Sequence, residues 1–273
     1  MHIIISRKLR LCLAAVMLMA ALAGTDASAL SFGSVSSDTG VSVGAKKSGW
    51  VVYKNGLKRY FVNGKYKKGL YITKNKSMYL FSPKKGYLLY GTRVYKGVTY
   101  YIKPVGRVEV YKKGGVYYYP NGTRLTPDQT YEWETQLRAR KIVSQITNDS
   151  MTPAQKMLAC FNWVMEGYYQ TYHAEKGNGF FTNWPATFAN DHFLTRSGDC
   201  VSDAAAFAYL CKALGYTKVY VVVDYNNLDG HAWAEVNGLI YDPLFAQSKS
   251  FANNYGVTYA VYEDPNPYVK VKI

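Results

Sequence analysis

A cysteine stands where a helix should begin. In Ser197-Gly198-Asp199-Cys200-Val201-Ser202 the aspartate is a good N-cap. Apolar Ala204, Phe207, Ala208, Cys211 and Leu214 then recur at helical spacing up to Gly215, which sits where a C-terminal glycine belongs. The pattern predicts a helix with Cys200 in its first turn. A thiol in that place feels the positive end of the helix dipole, which lowers its pKa and favours the nucleophilic thiolate.

Two later segments carry candidate partners. His231 opens His-Ala-Trp-Ala-Glu-Val (231–236), and Asp242 lies in Leu-Ile-Tyr-Asp-Pro (239–243). Between them Asn237-Gly238 is the strongest short hairpin signal. A two-residue turn there sets Val236 opposite Leu239 and Trp233 opposite Asp242. His231 and Asp242 then become diagonal neighbours on one face, within reach of an imidazole–carboxylate hydrogen bond. Cys200, His231 and Asp242 are thus the candidate nucleophile, base and orienting acid.

Gly198-Asp199-Cys200, Gly230-His231-Ala232-Trp233-Ala234-Glu235-Val236 and Tyr241-Asp242-Pro243 together resemble the transglutaminase-like superfamily, in the order Cys, His, Asp. The resemblance covers roughly the C-terminal half. It implies an α+β, papain- or transglutaminase-like domain over 126–273, with the nucleophile helix packed on an antiparallel sheet. It also implies the chemistry: Cys200 attacks an amide carbonyl, His231 shuttles the proton and Asp242 holds the imidazole tautomer. The thioester then passes to water or to an amine.

The front of the chain reads differently. Residues 1–29 have the form of a signal peptide, with a basic start at Arg7, Lys8 and Arg10, an apolar run from Leu11 to Gly24, and Ala27-Ser28-Ala29 as the cleavage signal. That run is short for a membrane span, so no membrane segment is expected after cleavage. Residues 30–48 are small and polar, a flexible leader. Short aromatic runs at Lys58–Gly64, Ser77–Phe81, Val98–Ile102 and Val116–Gly122 follow at a loose period of about twenty residues, with Gly or Lys-Gly turns. They predict β-hairpins over 49–125 that bury their faces only by stacking.

These repeats are similar to the choline- or glucan-type cell-wall-binding repeats of Gram-positive surface proteins. Such repeats usually carry paired tryptophans, and here Trp50 stands alone. Charge suggests another ligand. Residues 30–125 hold 19 Lys and Arg against Asp38 and Glu109, a balance of +17, whereas residues 126–273 hold 11 against 15 Asp and Glu, a balance of −4. The basic region should meet an anionic wall polymer such as a teichoic acid. The competing reading is a spacer whose tyrosines are core. Nucleic acid is not expected of a secreted protein.

Within the second half, Asp128–Gln145 reads as an amphipathic helix. Thr152-Pro153-Ala154-Gln155 reads as a capped helix start. Tyr172–Arg196 reads as a long connection shaping substrate access. Its His173 and His192 are expected to be solvated bystanders, since neither belongs to a strand with an acid partner, and the resemblance implies Trp184 as a candidate second oxyanion donor beside the backbone N–H of Cys200. Glu235 shares the His231 face and is expected in a surface salt bridge. Cys160 and Cys211 are either buried thiols or one bridge, the former favoured. Asp224–Gly230 is a polar turn, because its spacing does not fit a calcium loop. The reaction calls for no cofactor and no metal, and zinc signatures are missing from the sequence. The reading is a secreted, wall-associated thiol enzyme acting on protein or peptide amides, with hydrolysis favoured over cross-linking. The alternative is a non-catalytic wall-binding or scaffold protein of the same fold.

Overall fold

Two-residue turns in which both residues have positive φ recur through the front of the chain. They are Asn63-Gly64, Lys96-Gly97 and Gly114-Gly115, with φ values of 51° and 77°, 50° and 74°, and 56° and 81°. This geometry matches the twist of the strands it joins, and glycine at the second position adopts it without a Cβ penalty. The computed structural model describes residues 48–173, 182–224, 230–263 and 269–273. The expected signal segment, nearly all of the leader and most of the polar turn before His231 lie outside the described residues.

The turns organise three small antiparallel sheets. Strands β1 (Gly49–Val52), β2 (Lys58–Val62) and β3 (Lys65–Tyr66) form the first. Strands β4 (Gly69–Ile72) and β5 (Met78–Phe81) form the second. Strands β6 (Gly91–Tyr95), β7 (Val98–Ile102), β8 (Val108–Lys113) and β9 (Val116–Tyr118) form the third as a meander. The aromatic runs pack on one another from strand to strand. Trp50 meets Tyr60 and Tyr79 edge-on at 5.1 Å each, Tyr60 meets Tyr71 at 5.4 Å, and Tyr111 stacks on Tyr118 at 5.2 Å. Trp50 is therefore a packing residue of this aromatic spine.

A threonine cap opens each of the next two helices. Thr126 starts α1 (Pro127–Ile146) and Thr152 starts α2 (Pro153–Met165). Each is a full capping box with Pro at the first position and a Gln at the third, so two orphan N–H groups are met reciprocally. Strand β10 (Tyr168–Tyr169), helix α3 (Trp184–Thr195) and strand β11 (Ser197–Gly198) follow, and β10 pairs in parallel with β11. Helix α4 (Cys200–Leu214) comes next and closes on Gly215 at φ 104°.

The chain then forms β12 (Val219–Asp224), β13 (His231–Val236), β14 (Leu239–Tyr241), the short helices α5 (Pro243–Ser248) and α6 (Phe251–Asn254), β15 (Tyr255–Val257) and β16 (Val269–Lys272). These strands make one antiparallel sheet in the order β15-β14-β13-β12-β16. Every residue from Cys200 to Cys211 is buried, because α4 is enclosed by α1, α2, α3 and the sheet face of β12 and β13. Ala204, Ala205, Ala206 and Ala208 let these neighbours approach closely on all sides. A helix buried all round carries little polar face. The expected α+β arrangement, a helix that begins at Cys200 packed on an antiparallel sheet and preceded by β-hairpins, is what the chain adopts.

The connection predicted over Tyr172–Arg196 is in large part α3. Its signals were weak. Asn183 at the N-cap has φ 61° and makes no capping side-chain bond, and the C-cap is Arg196 at φ 60° where a glycine would be the usual marker. Burial of Ala186, Phe188, Ala189 and His192 holds the helix in place of local caps.

One apolar seam joins the hairpins to the helices. Trp133 of α1 is buried with Val110, Tyr117 and Leu125, and Tyr101 meets its ring edge-on at 5.4 Å. Arg140 reinforces the seam through an ion pair with Glu109 at 2.7 Å. Among the described residues, no helix is long and apolar enough to cross a membrane.

Candidate active site

The Ser202 N–H donates to the Asp199 carboxylate at 3.0 Å, which makes Asp199 the N-cap of α4 and Cys200 its first residue. Gly198 is required just before them, since a Cβ there would stand 2.3 Å from Ser202 Cβ. The Cys200 Sγ lies 3.9 Å from the carbonyl oxygen of Gly230, the residue that leads into His231. The nucleophile candidate and the start of β13 are therefore neighbours.

The Asn237-Gly238 turn has φ values of 54° and 85°. It pairs Val236 with Leu239, Glu235 with Ile240 and Ala234 with Tyr241. Where the next pair would set Trp233 against Asp242, the chain turns away, and Asp242 becomes the N-cap of α5 with Pro243 at the first position. His231 Nε2 and Asp242 Oδ2 lie 2.6 Å apart. The two side chains thus meet as expected, both buried, although Asp242 is delivered by the cap of α5 and not by a strand pair with Trp233.

Asp242 is fully buried and accepts three hydrogen bonds. His231 Nε2 and the Tyr262 hydroxyl, at 2.7 Å, donate to Oδ2, and the Phe245 backbone N–H donates to Oδ1 at 3.0 Å. The Phe245 ring stacks on the imidazole at 3.8 Å between centroids. With Nε2 committed to the carboxylate, Nδ1 is the ring nitrogen left for another partner. Tyr262 and Phe245 were not legible as partners of this pair. The Asp-Pro step, a cap residue before a first-position proline, is the signal that could have found Phe245.

A second imidazole–carboxylate pair lies one turn into α4. His192 Nδ1 and Asp203 Oδ1 are 2.9 Å apart, and His192 is wholly buried. Burial pushes the Asp203 carboxyl up to about 6; His192 opposes this, while the Asp199 and Asp242 carboxylates add to it. His173 likewise meets Asp191 at 2.9 Å. His192, expected to be a solvated bystander, is instead buried against a carboxylate, and His173 is paired with one as well.

Trp184 is a correction of another kind. It lines a cavity of about 350 Å³ with Tyr209, Lys212 and Ile273. Tyr209 lies nine residues, about 13 Å, along α4 from Cys200. Trp184 thus sits toward the far end of the helix and cannot face an oxyanion formed at Cys200. Glu235 is paired as expected, with Lys270 Nζ at 2.7 Å and the Tyr259 hydroxyl at 3.0 Å, but it is buried, not superficial. Cys160 and Cys211 are free thiols, and burial pushes Cys160 up to about 12. Among the described residues, no cluster of three or more His, Cys, Asp or Glu could hold a metal.

The family model of the transglutaminase-like superfamily matches residues 140–243, a span that contains Cys200, His231 and Asp242. The chain carries a transglutaminase-like domain. No curated protein matches the chain. Among solved structures, choline-binding protein F of Streptococcus pneumoniae is similar at 24% identity over 29% of this chain and 28% of that one, with a TM-score of 0.23. A candidate cysteine protease of Cytophaga hutchinsonii is similar at 22% identity over 40% of this chain and 37% of that one, with a TM-score of 0.29. The chain thus spans well under two thirds of either structure. Within the transglutaminase-like domain, the matched span runs from the middle of α1 to the first residue of α5.

Proposed function

We propose that this chain is a secreted thiol enzyme that acts on amide bonds of protein or peptide through a thioester, with Cys200, His231 and Asp242 as its catalytic residues. The 2.6 Å contact between His231 Nε2 and Asp242 Oδ2, beside a cysteine at a helix N-terminus, carries the reading. The Cys200 thiolate attacks the amide carbonyl carbon. Negative charge develops on the carbonyl oxygen, and the Cys200 backbone N–H is the donor assigned to it. His231 delivers a proton to the leaving nitrogen as the C–N bond breaks. Water then loses a proton to His231 and attacks the thioester, releasing a carboxylic acid and the thiolate. Asp242 keeps Nε2 protonated throughout, so that Nδ1 exchanges the proton.

Hydrolysis is the favoured outcome, and an amine in place of water would give cross-linking by the same steps. A peptide library incubated with and without an added primary amine distinguishes the two by mass. Cys200→Ser should abolish either product. Iodoacetamide should label Cys200 at or below neutral pH. If Cys200 labelled no faster than an ordinary thiol, the non-catalytic scaffold reading would replace this one.

The same proposal assigns the hairpins to an anionic wall polymer, on the strength of +17 in residues 30–125 against −4 beyond. Purified walls should bind the chain, added salt should weaken the binding, and walls stripped of teichoic acid should bind much less. Absence of any wall binding would make the hairpins a spacer.

A further inference from the structure

Arg59 of β2 sits among three tyrosine rings from three separate segments. Its guanidinium carbon lies 4.1 Å from the ring centroid of Tyr87, 4.5 Å from that of Tyr66 and 5.3 Å from that of Tyr53. Nε and Nη2 both donate to the Lys85 carbonyl, at 3.1 and 2.9 Å, and Nη1 donates to the Tyr53 hydroxyl at 3.1 Å. Tyr53 and Tyr87 stand edge to face at 85°, so two walls meet at a right angle. Gly86 lets the third wall close. It has φ +69°, and a Cβ there would fall 2.3 Å from the Tyr66 ring.

Among the described residues no carboxylate lies within ion-pair range of Arg59. Ring faces and a carbonyl answer its charge instead. Other cations of this region cover single rings, such as Lys67 over Tyr71 at 5.0 Å and Lys112 over Tyr117 at 4.4 Å. Only at Arg59, among the described residues, do three rings converge on one cation.

We propose that Tyr53, Tyr66 and Tyr87 form a cation cage that the chain's own Arg59 plugs, and that the cage takes a quaternary ammonium once the guanidinium is removed. The physics is the attraction of a cation to the negative faces of aromatic rings, which several rings around one charge combine. A trimethylammonium group matches the walls but cannot donate to Lys85 or Tyr53, so its affinity should be weak. In the intact chain the plug is tethered and always present, and free quaternary ammonium cannot compete with it. The intact hairpins therefore do not read cationic head groups at this site. The proposal stands independently of the thiol chemistry.

The test titrates the full chain and its Arg59→Ala variant with tetramethylammonium chloride, with sodium chloride holding ionic strength constant. Tyrosine ring protons are followed by NMR. Arg59→Ala should bind with a dissociation constant in the millimolar range, and the unaltered chain should show no saturable shift. Arg59→Met, which refills the cage with a neutral side chain, should not bind. In the unaltered chain the Arg59 side-chain protons should be moved upfield by the rings, a reading that needs no variant to fold. Equal binding by the unaltered chain, or no binding by a folded Arg59→Ala, would overturn the proposal. So would Arg59 protons at their ordinary shifts.

Discussion

The His231 imidazole lies face to face with the Phe245 ring, 3.8 Å between centroids and 11° between planes. The backbone N–H of the same Phe245 donates to Asp242 Oδ1. The first turn of α5 thus holds the plane of the imidazole and orients the carboxylate that grips it. Phe245→Ala removes the ring and keeps the N–H. We expect kcat to fall about tenfold to a hundredfold with KM nearly unchanged, because a loosened imidazole misplaces proton transfer. Steady-state kinetics on a peptide substrate decides the point, and an unchanged kcat would show that the stack does not orient the base.

Asp242 is the acceptor for three donors, and its substitution separates their roles. Asp242→Asn places an amide N–H toward His231 and favours the wrong imidazole tautomer. The equivalent change in a serine-protease triad lowers kcat by about 10⁴, and a loss of that order is expected here. Tyr262→Phe removes one donor and leaves the ring, so it should cost about 1 kcal/mol of stability and little rate. A Tyr262→Phe variant as inactive as Asp242→Asn would mean that the hydroxyl, not the carboxylate, governs the site.

Asp203 makes a prediction about pH. Its carboxyl is raised from 3.8 to about 6, chiefly by burial. The folded chain therefore holds this proton more tightly than the unfolded chain. The contribution to stability is fully present below about pH 4 and is lost as pH rises through about 6. Asp203→Asn keeps an acceptor for His192 Nδ1 and cannot ionise. Urea midpoints measured across that window should decline less for Asp203→Asn than for the parent, and parallel curves would refute the assignment.

The seam at Trp133 bears on how separable the two parts of the chain are. Trp133→Ala removes a buried indole from the cluster with Val110 and Tyr117, and should cost about 3–5 kcal/mol. A fragment beginning near residue 126 leaves Val110 and Tyr117 behind. It should still turn over a small soluble substrate, with a lowered melting temperature. Failure of that fragment to turn over substrate while folded would make the hairpins part of the catalytic unit.

Gly198→Ala tests the entry to the helix that begins at Cys200. The added methyl meets Ser202 Cβ at 2.3 Å inside a buried turn. We expect loss of both stability and thiol reactivity, read by thermal melting and iodoacetamide labelling. Labelling at the parent's rate would show that the turn can shift without moving Cys200.

Whatever a few neighbouring residues control was written in the local sequence. Asp199 as cap, Gly215 as stop and Thr152 as the start of α2 are local hydrogen-bonding and φ preferences, and each was legible. The Asn237-Gly238 turn also fixed the β13–β14 register as far as Ala234 and Tyr241, because a two-residue turn leaves one alignment, and so brought Asp242 to the end of the strand beside His231. Long-range packing set the rest. Helix α3 lacks caps and owes its place to burial. Tyr262 reaches Asp242 from twenty residues away, His192 finds Asp203 across two helices, and three tyrosines gather on Arg59 from separate strands and turns. Trp184 went the other way, carried by its antiparallel helix toward the end of α4 remote from Cys200. The physical reason is common to all of these: no short-range preference specifies the partner. Each contact exists because packing the apolar faces of α3, α4 and the sheets leaves these polar and aromatic groups with one another as neighbours.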